Sequence, residues 1–157
     1  MSELRTNRIV PRDGLPSGSS GGVIQVRYGF TTTITDSDSG TYIDTGITAS
    51  ITPTRSDSKV LVMTSISGVQ KRTNDTYFKG RLLRDSTEVA LLDDGAGYTQ
   101  DTSFNIIGTV TTNCVDSPAT TSSVTYKVQF MSAGNNARVR VQTNNSLSTI
   151  VLMEIAG

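Results

Sequence analysis

The chain has 157 residues, of which 35% are hydrophobic and 43 are Ser or Thr, and it contains no His and no Trp. At this length one domain is expected, and sparse but well-distributed apolar residues favour thin two-layer β architectures over helix bundles. The 14 basic and 14 acidic residues balance. The composition therefore argues against nucleic-acid binding, imidazole-based catalysis and histidine-ligated metal sites.

No stretch approaches the ~20 consecutive apolar residues of a membrane helix, and no charged-then-apolar leader is present. We therefore expect neither membrane insertion nor secretion. Cys114 is the single cysteine, so an intrachain disulfide is excluded, and this residue is expected to be a small, partly buried filler at a strand end. If the protein acts outside a cell, assembly in the cytoplasm and release by lysis would bring it there.

Residues 1–22 differ from the rest of the chain. An extended stretch from Leu4 to Val10 is followed by Pro11–Gly22, whose Gly, Ser and Pro residues are typical of a flexible linker. We interpret residues 1–22 as an anchor and linker and residues 23–157 as a folded body. A disordered tail is the alternative interpretation of the first segment.

The body begins with a predicted strand. Ile24, Val26, Tyr28 and Phe30 alternate with more polar residues, which predicts a half-buried strand with these four side chains inward. A turn follows at Asp36–Gly40.

Short strands are then expected at Thr41–Asp44 and Thr48–Thr52, on either side of a turn at Gly46. Lys59–Ser67 is apolar at consecutive positions, which predicts a central strand covered on both faces.

Two interpretations compete for residues 77–92. Tyr77–Arg84 and Thr87–Leu92 flank Asp85-Ser86 as the strands of a hairpin would. The run Asp85-Ser-Thr-Glu88 also matches a capping box ahead of Val-Ala-Leu-Leu, which would start a helix. The apolar run is too short for a stable helix, so we favour the hairpin.

The C-terminal half continues the same pattern. Further strands are predicted at Phe104–Asn113, Val124–Phe130, Ala137–Val141 and Ser148–Ile155. The first should place Phe104, Ile106 and Val110 on one face, and the last should be buried on both sides because residues 150–153 are all apolar. Nine or ten short strands at intervals of roughly 8–15 residues predict an all-β fold, a β-sandwich that is jelly-roll-like.

Residue patterns for catalysis or metal binding are weak. Asp93-Asp94 with Asp101 could form a carboxylate pair for glycoside hydrolysis, but the glycines that follow favour an acidic loop. Asp36-x-Asp38-x-Gly40 only faintly matches a calcium loop and is better explained as a turn. We therefore predict no catalytic residue, no metal, no cofactor and no enzyme activity.

Two loops are better candidates for recognition. One contains Lys71, Arg72, Asn74 and Asp75, and the other contains Tyr98, Gln100 and Asp101. Amides, charges and an aromatic ring at loop tips suit adaptable polar binding of a protein or a glycan. Ordinary solvated loops are the alternative.

Several short motifs resemble a recurring module of bacteriophage proteins. They are Gly22-Val-Ile-Gln-Val26, Thr48-Ala-Ser-Ile-Thr-Pro53, Ser58-Lys-Val-Leu-Val62, Arg81-Leu-Leu-Arg-Asp-Ser86, Asp116-Ser-Pro118, Thr125-Tyr-Lys-Val128 and Ser148-Thr-Ile-Val-Leu-Met-Glu-Ile155. In this order they are similar to a module of tail-fibre and other virion proteins, notably of marine and cyanobacterial phages. The similarity covers nearly the whole chain. Leu4-Arg-Thr-Asn7-Arg-Ile9 also resembles the opening of such fibre proteins.

The resemblance implies a virion structural protein with no catalytic residue. It implies a homotrimer, in which Leu4, Asn7 and Ile9 dock on other virion proteins while the body serves as a fibre-like or capsid-decorating module. Its task would be host attachment or particle stabilisation, with a host-surface glycan or protein as a further partner. A carbohydrate-binding module and a small depolymerase or hydrolase are the two other functions that we consider.

Overall fold

The structure, a computed structural model, describes residues 22–134 and 137–157. The predicted docking residues Leu4, Asn7 and Ile9 lie outside that part. The described residues form ten strands and one 3₁₀ turn: β1 (Val23–Thr31), β2 (Thr35–Ser37), β3 (Ile43–Ile51), β4 (Lys59–Lys71), β5 (Thr76–Arg84), β6 (Thr87–Ala96), β7 (Asn105–Asp116), β8 (Val124–Gly134), β9 (Val139–Val141), the 3₁₀ turn Thr143–Asn145 and β10 (Ser148–Ile155). None of the described elements is a helix with the length and apolar character to span a membrane.

The strands form two antiparallel sheets. The first sheet has the order β1-β10-β4-β9-β2, with β7 on the other side of β4, and the second has the order β3-β8-β5-β6. The three-residue strands β9 and β2 pair with each other and with the end of β4 beyond β10. They therefore extend the first sheet past the ends of β10 and β1.

The pairing of the eight long strands is that of a jelly roll. The first of them pairs with the last (β1 with β10), the second with the seventh (β3 with β8), the third with the sixth (β4 with β7) and the fourth with the fifth (β5 with β6). One long hairpin rolled over itself into two sheets produces this order. The predicted β-sandwich of jelly-roll type is confirmed.

The core lies between the two sheets. Fully buried side chains from the second sheet, including Phe78, Leu82 and Phe130, meet Val62, Ile150 and others from the first. The Phe78 and Phe130 rings stack with centroids 5.9 Å apart. Burial of such a side chain is worth about 1.5–3 kcal/mol relative to exposure, so this layer dominates the stability of the fold.

Strand β1 is present as predicted, but its faces are reversed. Val26, Tyr28 and Phe30 are 48%, 54% and 63% exposed, so they point away from the core. Gly29 is on the inward side, where an added Cβ would lie 1.9 Å from the carbonyl oxygen of Thr48. The prediction of an inward apolar face is wrong because the backbone of β3 occupies the space that those side chains would need.

Strands β4 and β10 also differ from the prediction of burial on both faces. Every second residue of β10 is buried, and those between, such as Val151 and Met153, are only half-buried. On β4, Met63 is 37% exposed. The first sheet therefore carries apolar side chains on its outer face as well as in the core.

Irregular strands account for two further corrections. The turn predicted at Gly46 is a bulge inside β3, where the Thr45 hydroxyl donates to the Val128 carbonyl at 2.9 Å and accepts from the Ile47 amide at 3.1 Å. In β7, Val110 is buried but Ile106 is 67% exposed, because register shifts separate the two residues. The hairpin at residues 76–96 is confirmed over the helix alternative.

A buried carboxylate ties the C-terminal strand to its neighbours. Glu154 is fully buried, and its Oε1 accepts from the Thr54 amide at 2.7 Å and the Thr54 hydroxyl at 2.8 Å. Its Oε2 accepts from Gln25 Nε2 at 2.5 Å. Burial alone would raise the pKa of Glu154, but these hydrogen bonds outweigh burial and lower the pKa below its ordinary value.

Candidate functional site

One end of the sandwich gathers the connections that follow β2, β4 and β6 and the residues that precede β9, and we call it the loop end. Backbone hydrogen bonds hold these connections together: the Asp75 amide donates to the Thr99 carbonyl at 3.1 Å, and the Arg72 amide to the Arg138 carbonyl at 2.9 Å. In a jelly roll, alternate connections meet at the same end because successive strands run in opposite directions. Segments far apart in sequence therefore form one surface here.

The two predicted recognition loops lie side by side at the loop end. The Tyr98 hydroxyl donates to Asp75 Oδ1 at 3.4 Å, and the Tyr98 ring makes an edge contact with Tyr77 at 5.9 Å between centroids. Arg72, Asn74, Tyr98, Gln100 and Asp101 are exposed, and Asp75 is half-buried. All six of these side chains belong to the surface that the fold assembles.

Lys71 does not lie in an exposed loop, so its predicted placement is wrong. It is the last residue of β4 and is fully buried, with Nζ donating to the Thr99 carbonyl at 2.7 Å. Burial lowers the pKa of Lys71, because the charged ammonium loses water. Lys71 therefore links the two loops from inside the protein, and its side chain is not accessible to a binding partner.

A notch next to these loops contains two arginines. It has a volume of about 430 Å³ and is lined by Asp38, Arg72, Thr73 and Arg138. Arg72 lies over the Phe104 ring, 5.8 Å from its centroid. Guanidinium groups bind carboxylates and phosphates through paired hydrogen bonds, so this notch suits an anionic group.

An ion pair between Arg140 and Asp36 lies in the two short strands next to the notch. Arg140 Nε and Nη2 bind Asp36 Oδ1 and Oδ2 at 2.6 and 2.7 Å, across the pair of strands β9 and β2. The hydrogen bond from Arg140 is the main cause that lowers the pKa of Asp36. Asp36 therefore lies in a strand and not in the predicted turn.

A groove of about 540 Å³ without charged lining residues lies around the bulged part of β4 and β7. Its lining comprises Ser67, Gly68, Gln70, Ile106, Gly108, Thr109, Thr143, Asn144, Ser146 and Leu147. Gly68 is required there, because its φ is +63° and an added Cβ would lie 2.5 Å from the Thr143 amide nitrogen. Hydroxyls and amides beside two exposed apolar side chains, Ile106 and Leu147, are suited to a sugar or a polar peptide.

Two of the three carboxylates considered for catalysis, Asp93 and Asp94, have structural partners, and Asp101 is exposed at the loop end. Asp94 lies within β6 and binds Lys79 Nζ at 2.7 Å, and Asp93 Oδ1 accepts from the Ala96 amide at 2.6 Å. Both belong to a strand, not to the predicted acidic loop. Within residues 22–134 and 137–157, no three Asp, Glu, Cys or His side chains are grouped so as to hold a metal ion.

Solved structures of virus particles share this fold. A chain of the infectious bursal disease virus Gx strain has a TM-score of 0.55 at 14% identity, over 98% of the present chain and 37% of that chain. A chain of the infectious bursal disease virus VP2 subviral particle has a TM-score of 0.53 at 14% identity, over 98% and 38% respectively. The sequence matches no protein-family model and no curated protein.

At this identity the likeness shows a shared fold, and the present chain spans less than two-fifths of either viral chain.

Three residues of the loop end were not predicted to be part of a recognition site. Phe104 and Arg138 were assigned to strands, and Asp38 was assigned to a turn. Each lies within three residues of a predicted strand terminus, but which termini meet depends on the topology.

Proposed function

We propose that this chain is a non-enzymatic structural protein of a bacteriophage particle, which docks through residues 1–22 and presents its loop end outward. The observation that carries the proposal is the gathering of exposed aromatic and arginine side chains at one end of a jelly roll. A rigid β-sandwich positions loops for binding without a catalytic centre. The fold shared with chains of virus particles is consistent with this role.

The carboxylates support the non-enzymatic part of the proposal. Hydrolysis of a glycosidic bond requires two carboxyl groups on either side of the substrate, one of them able to donate a proton. Asp94, Asp36 and Glu154 each take part in an ion pair or in several hydrogen bonds. We assign these groups to stabilising the sandwich.

Removal of residues 1–21 should prevent the chain from entering particles and leave the body folded, because the ten described strands and the core between them lie within Val23–Ile155. Quantitative mass spectrometry and cryo-electron microscopy of purified particles would measure incorporation. A chain whose residues 11–21 are replaced by Gly and Ser at the same length should still enter, since it keeps Leu4, Asn7 and Ile9. Full incorporation of the truncated chain would contradict docking through the N-terminus, and absence of the wild-type chain from particles would contradict the structural role.

Recognition of a host-surface glycan is a second candidate function, which is compatible with the first. Tyr98 and Phe104 are 53% and 50% exposed at the loop end, where an aromatic face can stack on a sugar ring. On a glycan array, Tyr98→Ala should weaken binding by about tenfold or more, as truncation of an aromatic anchor does. Leu91→Ala, on the outer face of the second sheet, should bind normally. Equal binding by wild type and Tyr98→Ala would argue against this site.

A further inference from the structure

The outer face of the first sheet is apolar across all four long strands. Residues opposite one another in antiparallel strands lie on the same face. Val26 of β1 is opposite Met153 of β10, Met153 is opposite Leu61 of β4, and Leu61 is opposite Val115 of β7. These four apolar residues form one continuous row.

Two further rows extend this surface. They are Tyr28, Val151, Met63 and Asn113, and Phe30, Thr149, Ser65 and Thr111. We call these twelve residues the apolar face, and none of them is charged. The nearest charge along β4 is Lys59, two residues before Leu61.

The side chains of the apolar face are most exposed on its two edge strands, β1 and β7. On β1, Phe30 is 63% exposed and its ring stacks on Tyr28 at 5.8 Å. At the opposite edge, Val115 of β7 is 57% exposed. A stacked aromatic pair beside exposed aliphatic side chains forms a contiguous apolar patch, and such patches mark sites of protein contact when they are large.

The outer face of the second sheet has the opposite character. Lys79 binds Asp94 at 2.7 Å, Arg81 binds Glu88 at 3.1 Å, and Lys127 binds Asp44 at 3.1 Å. A face with internally paired charges is suited to water. The asymmetry between the two sheets indicates that the second faces solvent and the first faces protein.

The apolar face has the dimensions of the centre of a protein interface. It spans four strands about 4.8 Å apart and five residues along each strand at about 3.3 Å each, which is roughly 15–20 Å by 16 Å. A stable complex buries roughly 800 Å² per partner, with an apolar core inside a polar rim, so the apolar face would form that core and the side chains around it the rim.

The composition of the N-terminal segment makes it a poor cover for this surface. Residues 1–21 contain the charged residues Glu3, Arg5, Arg8, Arg12 and Asp13 and only five large apolar side chains. Burying those charges against an uncharged sheet would cost more than the few apolar contacts return. A second copy of the chain, in contrast, supplies an apolar surface of matching size and without charge.

We propose that copies of this chain associate through the apolar face, with the first sheet inside the assembly and the second sheet outside. This deepens the proposed function, because it places the subunit contact of the expected homotrimer on a defined surface. It also leaves the loop end, which is built from strand connections, accessible at the end of the assembly.

The test is the mass of the full-length chain by size-exclusion chromatography with light scattering, over a range of concentrations. Wild type should be oligomeric, and Tyr28→Lys and Met63→Lys should each raise the dissociation constant about 100-fold or more, because a lysine at the centre of the contact would be buried without a partner. Leu91→Lys is the matched control on the second sheet and should leave the mass unchanged. If the β1 or β4 variant fails to fold, Val115→Lys tests the same surface from β7.

Each other outcome contradicts part of the proposal. A monomeric wild type, an oligomer unaffected by all three face variants, or an oligomer lost only when residues 1–21 are removed would each overturn it. A dimer that Tyr28→Lys dissociates would support association through the apolar face and contradict the homotrimer that the resemblance to phage proteins implies. A trimer that no face variant dissociates would support the homotrimer and contradict association through the apolar face.

Discussion

Leu82→Ala should lower the free energy of unfolding by about 2–5 kcal/mol, which is a large part of the 5–15 kcal/mol that a domain of this kind has in total. Leu82 is fully buried in β5, within the layer where the two sheets meet. Truncation removes apolar contacts and leaves a cavity that neighbours from both sheets cannot fill. Urea denaturation followed by circular dichroism would measure the loss.

The matched control is Leu91→Ala in the adjacent strand β6. Leu91 is 49% exposed on the outer face of the second sheet, so the same substitution should cost less than about 1 kcal/mol. Equal losses at the two positions would contradict the assignment of inner and outer faces. An unchanged slope of unfolding free energy against urea concentration would show that both variants unfold from the same compact state.

Glu154→Ala should lower the free energy of unfolding by about 2–4 kcal/mol, because it removes charge-assisted hydrogen bonds and leaves buried donors without an acceptor. The donors are the Thr54 amide, the Thr54 hydroxyl and Gln25 Nε2. Thr54 lies between β3 and β4, and Gln25 lies in β1, so the substitution loosens three segments around β10. Thermal and urea unfolding at pH 7 would measure the loss.

Glu88→Ala is the control. The Glu88 side chain is 48% exposed and forms an ion pair with Arg81. A solvent-exposed pair contributes less than about 1 kcal/mol. If Glu88→Ala destabilised the protein as strongly as Glu154→Ala, burial would not be the reason for the effect.

The stabilisation by Glu154 should also depend on pH. Its pKa in the folded protein lies below the ordinary value of 4.5, so the folded state favours the carboxylate. The contribution is complete above the unfolded-state pKa and disappears as the pH falls through the folded-state pKa. The stability difference between wild type and Glu154→Gln should therefore be constant near neutral pH and shrink below about pH 4.5.

The two recognition loops show which features of the candidate site the sequence predicts and which it does not. Tyr98, Gln100 and Asp101 are exposed as a polar, turn-rich stretch predicts. The contact of this loop with Asp75 follows from the predicted hairpin, because Phe78 of β5 pairs with Ala96 of β6 and the two loops begin just beyond that pair. The exact register could not be predicted, because three register shifts separate this end of the hairpin from its turn. The placement of Lys71 in a loop was wrong because the predicted strand ended at Ser67, whereas β4 continues through a bulge at Gly68 to Lys71.

Alternation along the chain determined by itself that this protein is all-β and where most strands lie. It was sufficient for β8, in which Val124, Tyr126, Val128 and Phe130 are buried as predicted. A period of two divides a strand into two faces without saying which face is covered. Only the tertiary structure decided that for β1, where the Thr48 carbonyl fills the space next to Gly29 and turns Tyr28 and Phe30 outward. Cover for a strand face comes from residues distant in the chain, and their position is set by how the sheets pack.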